Sequence, residues 1–170
     1  MALTSLISAI TGSLNFTGRK TVLGISGSFA EALSKSISLT HGTGLDKNDQ
    51  VYWTKSATIA PSGTLVVDLA TFTDPFGDAL TMSKIKAIYI SNESAVAIVD
   101  FGAGTAPVVV LKDAASDKVP IQPGGVFLLA TNAAAGVGVI TATTADKITI
   151  TNASGTDTAT VTLVIVGCSA

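Results

Sequence analysis

The first residues of the chain have the hydrophobic period of a helix. Leu3, Leu6, Ile7 and Ile10 are spaced as i, i+3, i+4 and i+7, which places them on one helical face. We therefore expect a short N-terminal helix. Because a helix of about ten residues is marginal alone in water, we expect it to be ordered only where its apolar face docks on this protein or a neighbour. A frayed terminus is the alternative.

From Thr21 onward the period changes to two, which is typical of strands. The last three predicted strands show the clearest alternation, and in the final one Val161, Leu163 and Ile165 define one face. Residues that favour turns separate the strands, as in Ala60 to Gly63 and Asp74 to Gly77. Strands are predicted at residues 34–40, 52–59, 64–70, 84–91, 95–101, 108–111, 126–131, 137–143, 147–151 and 158–166.

Evenly spaced strands without intervening helices are typical of an antiparallel sandwich or barrel. We predict an all-β fold, an antiparallel jelly-roll-like β-sandwich with a short N-terminal helical arm. A chain of 170 residues favours a single domain. The predicted division is an arm over residues 1–18 and a sandwich domain over residues 19–170.

The composition favours contact surface over chemistry. Hydrophobic residues make up 47% of the chain and charged residues 13%, with one His and one Cys. Enzymes usually bring several titratable groups together, so we expect no enzyme, no cofactor, and no catalytic, cofactor-binding or metal-ligating residues. Cys168 is expected to be a small apolar residue that closes the last strand.

Charge and hydropathy limit the partners. The net charge is -2 and the lysines are scattered, which argues against direct binding of nucleic acid. The longest wholly apolar run, residues 133–140, is far shorter than the roughly 20 residues of a membrane span. We therefore expect no membrane partner, and no signal peptide because the first residues carry no positive segment. A mean hydropathy of +0.55 without a span indicates a protein–protein interface.

Two kinds of polar motif raise the question of chemistry. The loop from His41 to Asp49 contains Asp46, Asn48 and Asp49, oxygen ligands of the kind that Ca²⁺ accepts. A solvated loop is the preferred interpretation and a bound cation the alternative, because the glycine and the terminal Glu of an EF-hand loop are missing. Sequons for N-glycosylation begin at Asn15, Asn92 and Asn152 and are expected to have arisen by chance in a chain rich in Ser and Thr.

Six residues are the candidates for an interface. The apolar stripe of Leu3, Leu6, Ile7 and Ile10 is the predicted anchoring contact. Tyr52 and Trp53 are adjacent in a predicted strand, so their rings lie on opposite faces of the sheet and one of them can face outward. The predicted partners are other copies of the chain, with a trimer favoured.

Six segments of the chain form a set that runs in order along most of its length: Met1 to Ile10, Ser38 to Gly44, Phe72 to Thr81, Ile85 to Ile88, Ile121 to Leu129 and Val164 to Ala170. Together they resemble small virion proteins of tailed bacteriophages, which are typically encoded near the major capsid protein. The resemblance implies a capsid decoration (cement) or head-fibre protein that binds the major capsid protein. It assigns no site residues.

Three functions stay open at this point. The first is a capsid decoration protein on the virion exterior, made in the cytoplasm of the host bacterium. The second is a tail, collar or tail-tip structural protein, which would form rings of six or open stacks. The third, from a different class, is a jelly-roll carbohydrate-binding module, which would need exposed aromatic residues.

Overall fold

The structure is a computed structural model that describes residues 5–22, 25–79, 81–111 and 115–170; between residues 20 and 29, Ser28 is the only side chain that it describes. The described residues form twelve strands. These are β1 (Ser8–Val22), β2 (Ile25–His41), β3 (Lys47–Asn48), β4 (Gln50–Ile59), β5 (Thr64–Asp68), β6 (Lys84–Asn92), β7 (Val99–Gly102), β8 (Lys118–Ile121), β9 (Val126–Ala130), β10 (Gly138–Val139), β11 (Lys147–Asn152) and β12 (Ala159–Cys168).

The expected all-β class with antiparallel sheets is confirmed, but the predicted N-terminal helix is wrong. Leu6 and Ile7 precede β1 in chain without regular secondary structure, and Ile10 lies within β1. Leu3 lies outside the described residues. The helix fails because β1 pairs with β2 along its whole length, and such a long ladder of backbone hydrogen bonds outweighs the weak preference of ten residues for a helix.

Strands β1 and β2 form one long antiparallel hairpin. Its register runs without interruption from the pair Ser8–Leu39 to the pair Val22–Ile25. At the open end β2 also pairs in parallel with the short strand β3. The predicted division at residues 18 and 19 stays a prediction, and β1 continues across that position.

The other nine strands form two antiparallel sheets. The first sheet has the order β4-β12-β6, with β9 and β10 both paired to the far side of β6. The second sheet has the order β5-β11-β7-β8. Most strands that pair in these two sheets are not consecutive in the chain.

A single hydrophobic cluster takes side chains from both sheets. The first sheet contributes Ile88, Ile90, Leu163 and Ile165, all fully buried. From the second sheet come fully or almost fully buried side chains, including Val67, Val99, Phe101, Ile148 and Ile150. The alternate residues of β12 face away from this core, as the period of two predicts. The molecule is therefore sandwich-like, with its core between the two sheets.

Most predicted strands are present, with shifted ends. The two predicted turns also form, since Gly63 N–H donates to Ala60 O at 2.8 Å and Gly77 N–H donates to Asp74 O at 3.0 Å. The strand predicted at residues 108–111 is wrong, because Val108 reaches the core from irregular chain. Strand β8 was not predicted, since its central Pro120 is unfavourable within a sheet.

Candidate functional site

The two adjacent aromatic residues of β4 face opposite sides of the first sheet. Tyr52 faces the core and stacks on Phe72, with ring centroids 5.0 Å apart. This partial burial raises the pKa of the Tyr52 phenol, since desolvation disfavours the charged form. Trp53 lies on the outer face and keeps 52% of its surface exposed. Of the two, Trp53 is therefore the residue placed to meet a partner.

Trp53 is part of a row of large side chains across the outer face. Val164 is paired with Trp53 on one side and with Tyr89 on the other, and Tyr89 is paired with Leu128. We call these four residues the outer-sheet row. Trp53 and Leu128 at its ends are exposed, whereas Val164 and Tyr89 are half-buried. Val126, two residues before Leu128 in β9, is exposed as well. Neighbouring exposed apolar side chains of this kind make the outer face of the first sheet a candidate interaction site.

The hairpin carries a second exposed apolar surface. Residues directly opposite each other in an antiparallel pair lie on the same face, and Leu14 is opposite Leu33. Both leucines are 60% exposed. Phe16, two residues further along the same face, is 42% exposed. We call this side of the hairpin the leucine face.

The other side of the hairpin is polar. Thr11 is opposite Ser36 and Ser13 is opposite Ser34, and the hydroxyls of Thr11 and Ser36 hydrogen-bond at 2.7 Å. All side chains at residues 11–17 and 30–36 are exposed. The hairpin beyond Ile10 is thus an amphipathic ribbon that projects from the sandwich, and we call this part the arm.

The base of the hairpin already packs on the outer face of the first sheet. Ile10, Ile37 and the fully buried Leu39 form a cluster with Ala87 and Val166. Val51, Ala130 and Val164 complete that cluster. The pairs Val51–Val166, Val166–Ala87 and Ala87–Ala130 form the row next to the outer-sheet row. The face of the hairpin that continues into the leucine face is therefore the face that binds this sheet.

The structure separates the residues that the sequence put forward for an interface. Ile10 belongs to the packed base of the hairpin and Leu6 is half-buried. Ile7 is 72% exposed, and Trp53 is exposed on the sheet. Tyr52 faces the core. Sequence reasoning missed Leu14 and Leu33, although the alternation from Ile10 to Phe16 was a signal that could have found them.

The polar loop is tied into the fold by hydrogen bonds. Asp46 accepts from Asn132 Nδ2 at 2.8 Å, and Asp49 accepts from the backbone N–H of Ser169 at 2.8 Å. Asn48 is fully buried and donates to Ser8 Oγ at 2.7 Å. The described residues hold no group of three or more His, Cys, Asp or Glu that could bind a metal ion. The two carboxylates of this loop, Asp46 and Asp49, are thus each held by a different part of the chain.

A buried lysine holds two loops against the first sheet. Lys86 is 0% exposed, and its Nζ donates to Gly44 O at 2.8 Å, to Ala134 O at 3.3 Å and to Ala133 O. Gly44 belongs to the loop after β2, and the two alanines belong to the loop after β9. Lys86 thus fixes the loops at the end of the sheet where the hairpin begins.

Two of the three sequon asparagines make buried hydrogen bonds to backbone carbonyls. Asn92 is fully buried, and its Nδ2 donates to Ala97 O at 2.8 Å and to Ile121 O at 2.9 Å. Asn152 is 1% exposed and donates to three carbonyls, Asp157 O among them at 2.7 Å. Both side chains are thus enclosed by backbone and are not presented for modification. Cys168 is also buried at the end of β12, as expected.

The outer face of the second sheet carries an open groove of about 440 Å³. Its walls are mostly threonines, glycines and two lysines, and Lys118 lies 3.8 Å from the Asp100 carboxylate. Among the described residues that line this groove there is no His, Cys or carboxylate beside these lysines and threonines. We therefore take the leucine face and the outer-sheet row as the candidate functional surfaces.

Comparison of the sequence with protein-family models and with curated proteins found no match. Within its described residues, the protein also has no helix with the length and hydrophobicity of a transmembrane span.

Proposed function

We propose that the chain is a non-enzymatic structural protein of a bacteriophage virion, a capsid decoration protein that oligomerises and binds the major capsid lattice from outside. The observation that carries this proposal is the combination of a sandwich-like fold and a projecting amphipathic arm. The resemblance of several sequence segments to small phage virion proteins supports it. The protein would be made in the host cytoplasm and end on the capsid exterior.

The order of the strands supports a jelly roll, a double-sheet fold found in viral capsid proteins and lectins. Without the short β10, eight strands follow the hairpin and β3. Strands β4, β6, β9 and β12 lie in the first sheet, and strands β5, β7, β8 and β11 lie in the second. The chain thus crosses repeatedly between the sheets, as two Greek keys require.

The mechanism of such a protein is burial of surface. Each copy offers the leucine face and the outer-sheet row, and both contain few charged groups that would have to lose water on binding. A ring of copies that contacts several capsid subunits adds up weak contacts through avidity. Each ring would therefore hold neighbouring capsid subunits together against internal pressure.

The test is binding to capsids of the phage that encodes the chain. The purified protein is titrated onto capsids assembled from the major capsid protein, the mixture is sedimented, and the temperature at which the capsids disrupt is measured. We expect saturable co-sedimentation and a higher disruption temperature. Sedimentation of the capsids alone, with the protein left in the supernatant at every ratio, would contradict the proposal.

A tail component is the second candidate, because an arm that binds a different surface of the next copy can also form open stacks. Purified tails serve as a parallel arm of the sedimentation experiment. Binding to tails without binding to capsids would move the protein to the tail. In that case electron microscopy of the protein alone should show six-fold rings or stacks.

A further inference from the structure

We propose that the leucine face of the arm binds the outer-sheet row of a second copy of this chain. The inference goes beyond the proposed function, because the contact joins copies whether or not they bind a capsid. It assigns a donor surface, centred on Leu14 and Leu33, and an acceptor surface, the row that ends at Trp53 and Leu128. Each copy carries one of each.

The first reason is that the arm cannot hold its own structure. A two-stranded hairpin without further support is marginally stable in water. In the arm all side chains at residues 11–17 and 30–36 are exposed, so the sandwich of the same copy gives little support there. An amphipathic ribbon of this kind becomes stable when its apolar face is covered.

The second reason is continuity with a contact that already exists. At the base, Ile10 and Leu39 lie on the face that leads into Leu14 and Leu33, and they pack on Ala87 of the first sheet. The outer-sheet row lies next to the row that the base covers. The first sheet thus already binds the base of this hairpin face within one copy. The outer-sheet row offers the same kind of surface to the leucine face of another copy.

The third reason is the area. Over its described exposed side chains, from residue 11 to residue 17, the arm extends about 23 Å at about 3.3 Å per residue, and two strands make it about 10 Å wide, so one face covers about 230 Å². In a closed ring each copy donates one face and receives another, and it loses about 460 Å² in all. That is somewhat more than half of what a standard interface removes from each partner.

The charges at the edges of the two surfaces are compatible with this contact. On the leucine face, Lys35 and Glu31 lie two residues to either side of Leu33. Beside the outer-sheet row, Lys55 and Glu93 are exposed, and the Glu93 carboxylate accepts from Ser56 Oγ at 3.1 Å. Each surface therefore carries one positive and one negative group at its edge.

Because donor and acceptor are different surfaces, two copies can satisfy both only if each arm binds the sheet of the other about a two-fold axis, and larger closed forms are rings. A ring of three, in which the arm of each copy binds the sheet of the next, is the closed form that agrees with the trimer expected from the sequence.

The test uses two double variants and their mixture, followed by sedimentation velocity. The donor variant is Leu14→Asp with Leu33→Asp, and the acceptor variant is Trp53→Asp with Leu128→Asp. The control is Ser13→Asp with Ser34→Asp, which places the same two opposed charges one register position away on the polar face. A single cooperative unfolding transition in each variant shows that the sandwich is folded.

We expect the control to assemble as the wild type does and each double variant to sediment as a monomer. An equimolar mixture of the two variants should form a dimer and nothing larger, since one intact arm can still bind one intact sheet. An acceptor variant that assembles normally would overturn the proposal in favour of contacts between arms. A donor variant that assembles normally, or a mixture that stays monomeric, would overturn it as well.

Discussion

Gly136 lies in a left-handed backbone conformation against the first sheet. Its φ is +73°, and a Cβ at this position would lie 2.3 Å from the carbonyl oxygen of Ile85. Gly124 has nearly the same φ, +71°, but no atom lies within 4 Å of the position of its Cβ. The two glycines therefore separate the cost of the backbone conformation from the cost of a steric clash.

We predict that Gly124→Ala lowers the free energy of unfolding by about 1 kcal/mol, since only the left-handed conformation is penalised. Gly136→Ala should lower it by about 2–4 kcal/mol, because the cost of overpacking is added. Urea unfolding at equal protein concentration measures both. Equal losses in the two variants would show that the loop around Gly136 moves aside freely.

Single residues were predictable where their role is local. The turn from Ala60 to Gly63 and the burial of Cys168 follow from neighbours in sequence. The role of Asn92 does not, because its partner Ile121 O is far away in sequence and is brought close only by the fold. The same is true of Lys86, which reads as an ordinary surface charge until two loops are folded over it.

Among the elements, the hairpin β1–β2 is the one whose structure depends most on assembly. Its base is fixed by the cluster around Leu39, but the arm has no such cluster within its own copy among the described side chains. Local unfolding has a low free energy where few apolar contacts hold an element. The stability of the arm should therefore report directly on the contact between copies.

We predict that, within residues 11–17 and 30–36, the amides that donate across the hairpin are protected from hydrogen exchange in the wild type and exchange rapidly in the variant Leu14→Asp with Leu33→Asp. The loss of protection follows from the exposure of a ribbon that is marginal alone. Mass spectrometry of peptides measures it, with β12 as the internal reference that stays protected. Rapid exchange of the arm in the wild type would mean that nothing covers it.

The same hairpin shows why the sequence misled at the N-terminus. The residues Leu6, Ile7 and Ile10 fit a helical stripe, but Ile10, Leu14 and Phe16 also fit a strand, and a stripe of this length cannot decide between the two. The pairing of β1 with β2 makes this segment a strand from Ser8 onward. That pairing was not visible from β1 alone, because only the last part of β2 was predicted as a strand.

For the whole molecule, the all-β class was predictable because the period of two persists for most of the chain. The order of strands within the sheets was not. Strand β12, for example, pairs with β4 and β6, and no local signal marks either partner. The position of Trp53 in one row with Tyr89 and Leu128 depends on that order. The interface surface therefore became visible only with the sheet assembled.

The most direct test of the account is the molar mass of the purified wild-type chain in solution, measured by light scattering over a range of concentrations. The account predicts a closed oligomer, a trimer of about three times 17.0 kDa, with a mass that does not grow as the concentration rises. A mass of 17.0 kDa at every concentration would contradict it, because the leucine face and the outer-sheet row would then both stay exposed.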